Sequence, residues 1–152
     1  MSILIYWKYD NYIRDNAEGF GYNFNSNQSR LHSTTEIGDD VFVVGGINKR
    51  SGLEIYLLAH FIIKEKAFNP SGFKYGRYRI EADSKKSKYF SLDAEPITPY
   101  LSKLTSIKHF DDDQTHKYAQ AFQTIRVLNE VDTQILKEMA EKLPQIGNIK
   151  KT

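Results

Sequence analysis

Apolar and aromatic side chains come in short runs through the first two thirds of the chain, and this pattern predicts β-strands. Residues 2–9 (SILIYWKY) and 41–44 (VFVV) are near-continuous apolar runs, which are typical of buried strands. Between them, residues 10–39 are polar and rich in Gly and Asn, so we expect one long connection there. A connection of this length in a small domain is usually functional or folded on itself.

A β-hairpin is predicted next, around Gly45 and Gly46. Its tip, residues 48–52 (NKRSG), is polar and basic. The run 53–66 (LEIYLLAHFIIKEK) fits a helix or a strand by its length alone. Because Ile, Tyr and Phe dominate this run and a hairpin signal precedes it, we predict that it forms the returning strand.

Two further strands are predicted at residues 75–82 and 87–92. In the first (YGRYRIEA), apolar positions alternate with charged ones. The apolar set is Tyr78, Ile80 and Ala82, and the charged set is Arg77, Arg79 and Glu81. This alternation predicts a strand with one buried face and one charged face.

Helices are predicted in the last third of the chain. We expect a helical turn over residues 98–103, and a helix over about 114–122 whose N-terminus is capped by Asp111–Asp113. Asn129, with Asp132, begins a final helix that reaches about Lys142. Its predicted apolar stripe consists of Val131, Ile135, Met139 and Leu143.

Strands first and helices last indicate the α+β class. Five or six short strands with one very long connection suit a small, mixed, strongly bent β-barrel with helices packed outside it. We therefore predict one domain over residues 1–152, with the barrel at about 2–110 and a helical C-terminal tail at about 111–143.

Composition limits the partners. The 152 residues carry 21 basic and 19 acidic side chains, a net charge of +2, so attraction to phosphate requires a local cluster. Cysteine is absent, which excludes disulfides, thiolate zinc sites and a cysteine nucleophile. The first apolar run reaches a charge at Lys8, too early for a signal peptide or a membrane span. We expect a cytoplasmic protein with no membrane association.

No catalytic constellation is recognisable, so we predict neither an enzyme nor a bound metal or cofactor. P-loop and GxSxG motifs are missing from the sequence. His109, Asp111–Asp113 and His116 include metal-ligand types, but three consecutive Asp side chains cannot converge on one ion, and helix capping already accounts for them. His60, inside an apolar run, is expected to be a half-buried structural histidine.

Several segments, taken in order, carry a resemblance to a known family. They are an N-terminal Tyr-Trp strand, GYNFN followed by Ser-Arg-Leu-His, IGDDVFVVGG, YLLAHFIIKEKAFNPSGFKYGRYRIEAD with SKYF, and AFQTIRVLNEVD. The set covers about residues 3–137. It resembles the PUA-like modules, related to the EVE and ASCH groups, that precede HNH nuclease domains in bacterial restriction-type proteins. The Gly-x-Lys-x-x-Glu-x-Arg signature of the ASCH group is absent.

The resemblance implies a mixed β-barrel whose concave face accepts a base, often a modified one, that is flipped out of DNA. Relatives with a nuclease carry it as a separate C-terminal domain. No HNH-like cluster follows in this sequence, so we expect the reader module alone, which would act with a nuclease partner in a restriction or defence system.

Walls for such a base are predicted at Trp7 and Tyr22, because pockets for extruded bases are lined by aromatic rings with a few placed polar groups. Trp7 is equally consistent with a core position. Asn25, in the Gly/Asn-rich loop, offers both a donor and an acceptor for reading a base edge, whereas turn geometry alone also explains an Asn there. Arg30 is predicted to contact a phosphate and His32 to donate from the pocket rim.

The basic residues predicted to grip nucleic acid lie in three places. The first is the segment 74–79, where Arg forks bind phosphate and a Tyr face stacks a base. The second is the hairpin tip, and the third follows the penultimate helix. The residues are Lys74, Tyr75, Arg77, Arg79, Lys49, Arg50 and Arg126. Each place also has an ordinary structural explanation. The segment 74–79 fits a solvated strand face with Arg79 paired to Glu54, and the hairpin tip fits a plain soluble turn. Arg126 fits a surface salt bridge to Glu130.

The function predicted from these residues is a DNA-binding specificity module. Two alternatives stay open. One is a protein- or peptide-binding regulator that uses the same groove, which the near-neutral total charge favours. The other is an RNA-binding or RNase-like protein acting through His32, since a stacking pocket accepts RNA as well as DNA.

Overall fold

The computed structural model describes residues 2–17 and 21–146. Strands and helices within these ranges are mixed, as expected for the α+β class. The strands are β1 (Ser2–Tyr6), β2 (Asn23–Ser26), β3 (Asp40–Lys49), β4 (Gly52–Phe68), β5 (Tyr78–Ala82), β6 (Lys88–Tyr89) and β7 (Arg126–Leu128). The α-helices are α1 (Tyr9–Ala17), α2 (Arg30–Ser33), α3 (Thr115–Ala121) and α4 (Glu130–Lys142), with 3₁₀ turns at Thr98–Lys103 and Asp112–Gln114.

The strands form one sheet in the order β2-β5-β4-β3-β1-β7, with β6 paired to β4. The pair β1 and β3 is parallel, and the other pairs are antiparallel. A parallel pair requires a crossover connection. Residues 7–39 supply this connection, which contains α1, β2 and α2. Within the connection, β2 pairs with β5 at the edge of the sheet that is farthest from β1 and β7.

Strand β4 is long enough to pair with three other strands. Its first part, up to Ile62, pairs with β3, and its last part, Ile63–Phe68, pairs with β5. Register shifts occur opposite Val43/Val44 and between Ile63 and Glu65. Register shifts of this kind are typical of β-bulges, which bend and twist a strand.

Both faces of the central strands are buried. Ile3 and Ile5 of β1 belong to one apolar cluster, while Leu4 belongs to the cluster on the opposite face. Val41 and Phe42 of β3 divide in the same way. Covering elements on both sides explain why these strands read as continuous apolar runs rather than as alternating ones.

Closure of the predicted barrel is not confirmed. Among the described strands, β2 and β7 stand at opposite ends of the sheet and do not pair. A side chain links the two ends instead. The amide of Gln28 donates to the Gln123 carbonyl at 2.7 Å and accepts from the Ile125 N–H at 3.1 Å. One planar amide thus replaces part of a strand-to-strand ladder.

Residues 10–39 lie in the connection between β1 and β3, as predicted, but the connection is not a loop, because α1, β2 and α2 form within it. Tyr9 and Tyr12 of α1 pack on the core cluster three residues apart, so α1 covers the sheet with aromatic rings rather than with a long aliphatic stripe. Gly21 and Tyr22 then lead into β2, whose four residues are too few for a clear alternation.

Two predicted strands are shorter than expected. Residues 75–77 form a turn, so β5 begins at Tyr78. Within β5 the alternation is confirmed, because Ile80 and Ala82 are buried whereas Arg79 and Glu81 are only partly covered. The strand predicted at 87–92 pairs over Lys88–Tyr89 alone.

The helical tail follows the predicted caps. Asp111 and Gln114 form a capping box before α3, and the Asn129 side chain accepts from the Asp132 N–H at the start of α4. The predicted stripe of α4 is confirmed in part: Ile135, Met139 and Leu143 are partly buried against the core, whereas Val131 is 60% exposed, and the fully buried apolar residues are Leu136 and Ala140. Counting in steps of four from Val131 selected the edge of the buried face instead of its centre.

Asp132 is the buried polar residue at the start of α4. Its carboxylate accepts from the N–H groups of Thr105 and Ser106, at 2.7 and 2.6 Å. These bonds hold the segment that contains Thr105 and Ser106 against the start of the helix. Burial alone would raise the pKa of this carboxyl group, but the hydrogen bonds from Ser106 and Thr105 hold the pKa below its ordinary value.

His60 is half-buried, as expected, and has a structural partner. Its Nε2 lies 2.8 Å from Oδ1 of Asp40, whose other oxygen is 3.3 Å from Nζ of Lys137. The imidazole also stacks on Phe42, with 4.6 Å between ring centroids. Burial would raise the pKa of Asp40, but His60 and Lys137 together lower it.

Over residues 2–17 and 21–146, no helix has both the length and the apolar character that a bilayer crossing requires.

Candidate functional site

A hollow of about 320 Å³ opens where the end of β1, the start of α1, β2 and the turn before β5 meet. Its volume is at the lower end of the range for ligand pockets. Aromatic, amide and lysine side chains share the lining. They are Tyr6, Trp7, Lys8, Asn11, Phe24, Asn25, Lys74, Tyr75 and Gln123.

Trp7 forms the aromatic back of the hollow and is 6% exposed. It directly follows β1, and its N–H donates to the Val44 carbonyl at 2.9 Å, which extends the pairing with β3. Its indole meets the rings of Tyr12 and Phe24 edge to face, at centroid distances of 5.4 and 5.6 Å. These contacts fix the ring in one orientation.

Tyr75 also lines the hollow, and two cations lie near its ring. The Lys74 ammonium lies 4.6 Å from the centroid of the Tyr75 ring, and the Arg14 guanidinium lies 5.2 Å from it. Phe73 packs on the same ring edge to face at 5.6 Å. Lys8 and Lys74 are both exposed, so the hollow presents positive charge to solvent beside its aromatic rings.

The turn that carries Tyr75 is held against β2 by a close backbone approach. Gly76 has φ of +116°, a conformation that favours glycine, and a Cβ there would stand 2.3 Å from the carbonyl carbon of Ser26. Asn69 adds a second link. Its Nδ2 donates to the Gly76 carbonyl at 2.8 Å and to Oδ1 of Asn25 at 2.9 Å.

Of the residues predicted to contact nucleic acid, the structure brings four together in this hollow. They are Trp7, Asn25, Lys74 and Tyr75. In the described part of the chain the other eight do not line it, and the predicted arrangement of arginines around one pocket is not found.

Tyr22 is in the core and does not form a wall with Trp7. It is 6% exposed, and its ring packs edge to face on Tyr89 at 5.1 Å. Its φ of 61° is held by two hydrogen bonds, from its N–H to the Tyr89 hydroxyl and from the Ala82 N–H to its carbonyl. Burial raises the pKa of Tyr89, so this hydroxyl stays protonated in the core. The Gly/Asn context of Tyr22 reflected the backbone turn and not an open pocket.

Arg77 and Arg79 are committed to neighbours on the sheet. The Arg77 guanidinium lies 4.8 Å from the ring centroid of Phe68 and donates to the Asn69 carbonyl. Nε of Arg79 is 3.5 Å from the carboxylate of Glu81, not of Glu54. Arg79 is nevertheless directly opposite Asn25 in the β2–β5 pair, which places both side chains on one face.

Arg30 and His32 lie on the short helix α2, away from the hollow. Arg30 is exposed at the first position of that helix. Nε2 of His32 is 2.8 Å from the Arg79 carbonyl, and the imidazole packs edge to face on Phe68 and Tyr78. His32 therefore fastens α2 to β5.

Lys49, Arg50 and Arg126 are also elsewhere. Lys49 lies over the Tyr56 ring at 5.4 Å, and Arg50 is exposed at the tip of the hairpin. Nε and Nη2 of Arg126 donate to the Ala121 carbonyl, at 3.0 and 2.7 Å. Arg126 thus caps the C-terminus of α3, where a cation is favourable, and does not pair with Glu130.

Five residues of the hollow were not predicted: Tyr6, Lys8, Asn11, Phe24 and Gln123. Lys8 and Phe24 are sequence neighbours of Trp7 and Asn25, and this adjacency was the available signal. Asn11 belongs to α1, in a stretch whose polar sequence predicts a loop. Gln123 lines the hollow because Gln28 holds its backbone there, a tertiary link that no local pattern shows.

The lining of the hollow offers groups that can hold a ligand by ring stacking, by hydrogen bonds and by charge. It contains no carboxylate or imidazole among the described residues, and nowhere in the described ranges do three or more His, Asp or Glu side chains form a possible metal site. No protein-family model matches this chain, and no curated protein matches it.

Proposed function

We propose that the chain is a nucleic-acid-binding module that holds one unstacked base in the hollow between Trp7 and Tyr75. The observation that carries the proposal is the combination of lining groups: flat rings inside, amides beside them and lysines at the mouth. A base offers two apolar faces and a polar edge, and its backbone is anionic, so each kind of lining group has a counterpart on the ligand.

Charge supports a phosphate near the mouth. The whole chain carries only +2, yet Lys8 and Lys74 line this one hollow and the Arg14 guanidinium lies 5.2 Å from the ring centroid of Tyr75. A local concentration of cations on a nearly neutral protein favours an anionic ligand at that position. Amide side chains such as Asn11 and Asn25 then supply hydrogen bonds to the base edge.

Within this proposal the chain is a PUA-like module with a bent, barrel-like sheet. The bulges in β4 and the Gln28 link between the two sheet ends support that description. As a reader, it would recognise a modified or unmodified base in DNA for a cytoplasmic restriction or defence system and leave cleavage to a nuclease partner.

The proposal is tested by the salt dependence of binding to single-stranded and duplex DNA of one sequence. The test variant is Lys8→Glu/Lys74→Glu. We expect the slope of log affinity against log salt to become shallower by roughly 1 to 2, because two phosphate contacts are removed.

A matched control is Lys103→Glu/Lys142→Glu. Both lysines are exposed and line a different groove, between residues 93–103 and α4. The net charge changes equally in the two variants, so only the location differs. Equal losses in both would place the binding elsewhere. Salt-independent binding of a peptide, with no binding of DNA or RNA, would favour the peptide-binding alternative.

A further inference from the structure

The hydrogen-bond network beside the hollow fixes the amide orientation of Asn25. The Gly76 carbonyl can only accept, so the Asn69 atom 2.8 Å from it must be the NH₂ group. The same Nδ2 lies 2.9 Å from Asn25, so the Asn25 atom facing it must be the acceptor Oδ1. The amide orientation of Asn25 therefore follows from a backbone carbonyl two links away.

The amino group of Asn25 is consequently the donor that this side chain can offer to a ligand. Inside the protein it lies 3.5 Å from Oδ1 of Asn23, which is long for an N–H···O bond. An NH₂ group carries two protons, so at least one of them can donate to a group in the hollow that Asn25 lines.

Gln123 provides the complementary atom. Its Nε2 donates to the Ala119 carbonyl at 3.2 Å, which leaves Oε1 as the acceptor that it can offer to the hollow. Its backbone is held by Gln28. The hollow thus combines a donor on β2 with an acceptor on the segment that leads into β7.

Building on the function proposed above, we propose that the hollow selects bases with a lactam edge, a carbonyl oxygen beside a ring N–H, as in uracil, thymine and guanine. The carbonyl accepts from Nδ2 of Asn25. Cytosine and adenine present an amino group at the corresponding position, which would set donor against donor and leave both donors without an acceptor.

The experiment compares penta-deoxyuridylate with penta-deoxycytidylate at neutral pH and constant low salt, by competition against a labelled strand. The two strands carry the same phosphates and differ at the base edge. We expect the wild-type protein to prefer the uracil strand by about tenfold or more. In Asn25→Asp, a carboxylate replaces the donor, so the preference should disappear or reverse.

Asn48→Asp is the matched control, because it makes the same charge change at an exposed position of the hairpin tip. It should lower both affinities slightly and keep their ratio. Equal wild-type binding of the two strands, or an unchanged ratio in Asn25→Asp, overturns the inference and leaves the proposed function intact. Binding of neither strand overturns both. If Asn25→Asp fails to fold, the wild-type ratio alone decides.

Discussion

Gly76 lies so close to Ser26 that a β-carbon on Gly76 would stand 2.5 Å from the Ser26 carbonyl oxygen. This contact presses the turn that carries Lys74 and Tyr75 against the end of β2. One wall of the hollow therefore depends on the absence of a side chain at a single position.

Substitution of Gly76 by Ala should destabilise the fold strongly. The variant pays for an unfavourable φ, about 1–3 kcal/mol, and in addition the backbone of residues 26 and 27 must move. Gly72→Ala is the control, since its φ is +82° but nothing lies within 4 Å of its Cβ position. Chemical denaturation measures both, and equal losses of unfolding free energy would show that the close approach contributes nothing.

Gln28→Ala should loosen the connection between the two ends of the sheet. The variant leaves the Gln123 carbonyl and the Ile125 N–H without their side-chain partner, so we expect a loss of about 1–2 kcal/mol. Hydrogen exchange followed by NMR should show faster exchange at the Ile125 amide. Gln120→Ala, which removes an exposed amide on α3, is the control. Unchanged protection of Ile125 would mean that Gln28 does not hold this segment.

Asp132→Asn should destabilise the protein by about 2–4 kcal/mol at neutral pH, because a buried carboxylate with several N–H donors becomes an amide. The exposed Glu130→Gln, in the same helical turn, should cost far less. Thermal or urea unfolding of both variants measures the difference.

The effect of Asp132 should also depend on pH in a defined direction. Its pKa is lowered in the folded state, so its stabilisation is complete above the unfolded value of about 3.9 and is lost as the pH falls through the folded pKa. The gap between wild type and Asp132→Asn should therefore be constant near neutrality and shrink below about pH 4. A gap that stayed constant into the acid range would contradict this assignment.

The sequence pattern predicts those elements whose formation depends on their own residues. Strand β4 follows from its Ile, Tyr and Phe content, and α4 begins at Asn129 because that side chain caps it. Helix α1 could not be found in this way, because only nine residues form it and its packing face is made of tyrosines. Its stability comes from tertiary contacts rather than from a long amphipathic stripe.

The candidate site was predictable only in part, for the same reason. Trp7, Asn25, Lys74 and Tyr75 have the expected chemistry, and residues distant in sequence bring them together. Arginines near a strand looked like phosphate ligands, yet Arg77 lies over Phe68 and Arg126 caps α3. A sequence shows which interactions a side chain can make, whereas the partner that it finds depends on the fold.

The fluorescence of Trp7 provides the most direct test of the base-binding hollow. Trp7 is the only tryptophan in the chain and forms the back of the hollow, so a base that enters must change its emission. An oligonucleotide would be titrated while Trp7 emission and the anisotropy of the labelled strand are recorded together. We predict that both signals saturate at the same concentration. A rise in anisotropy with unchanged Trp7 emission would show that nucleic acid binds elsewhere and would contradict the account.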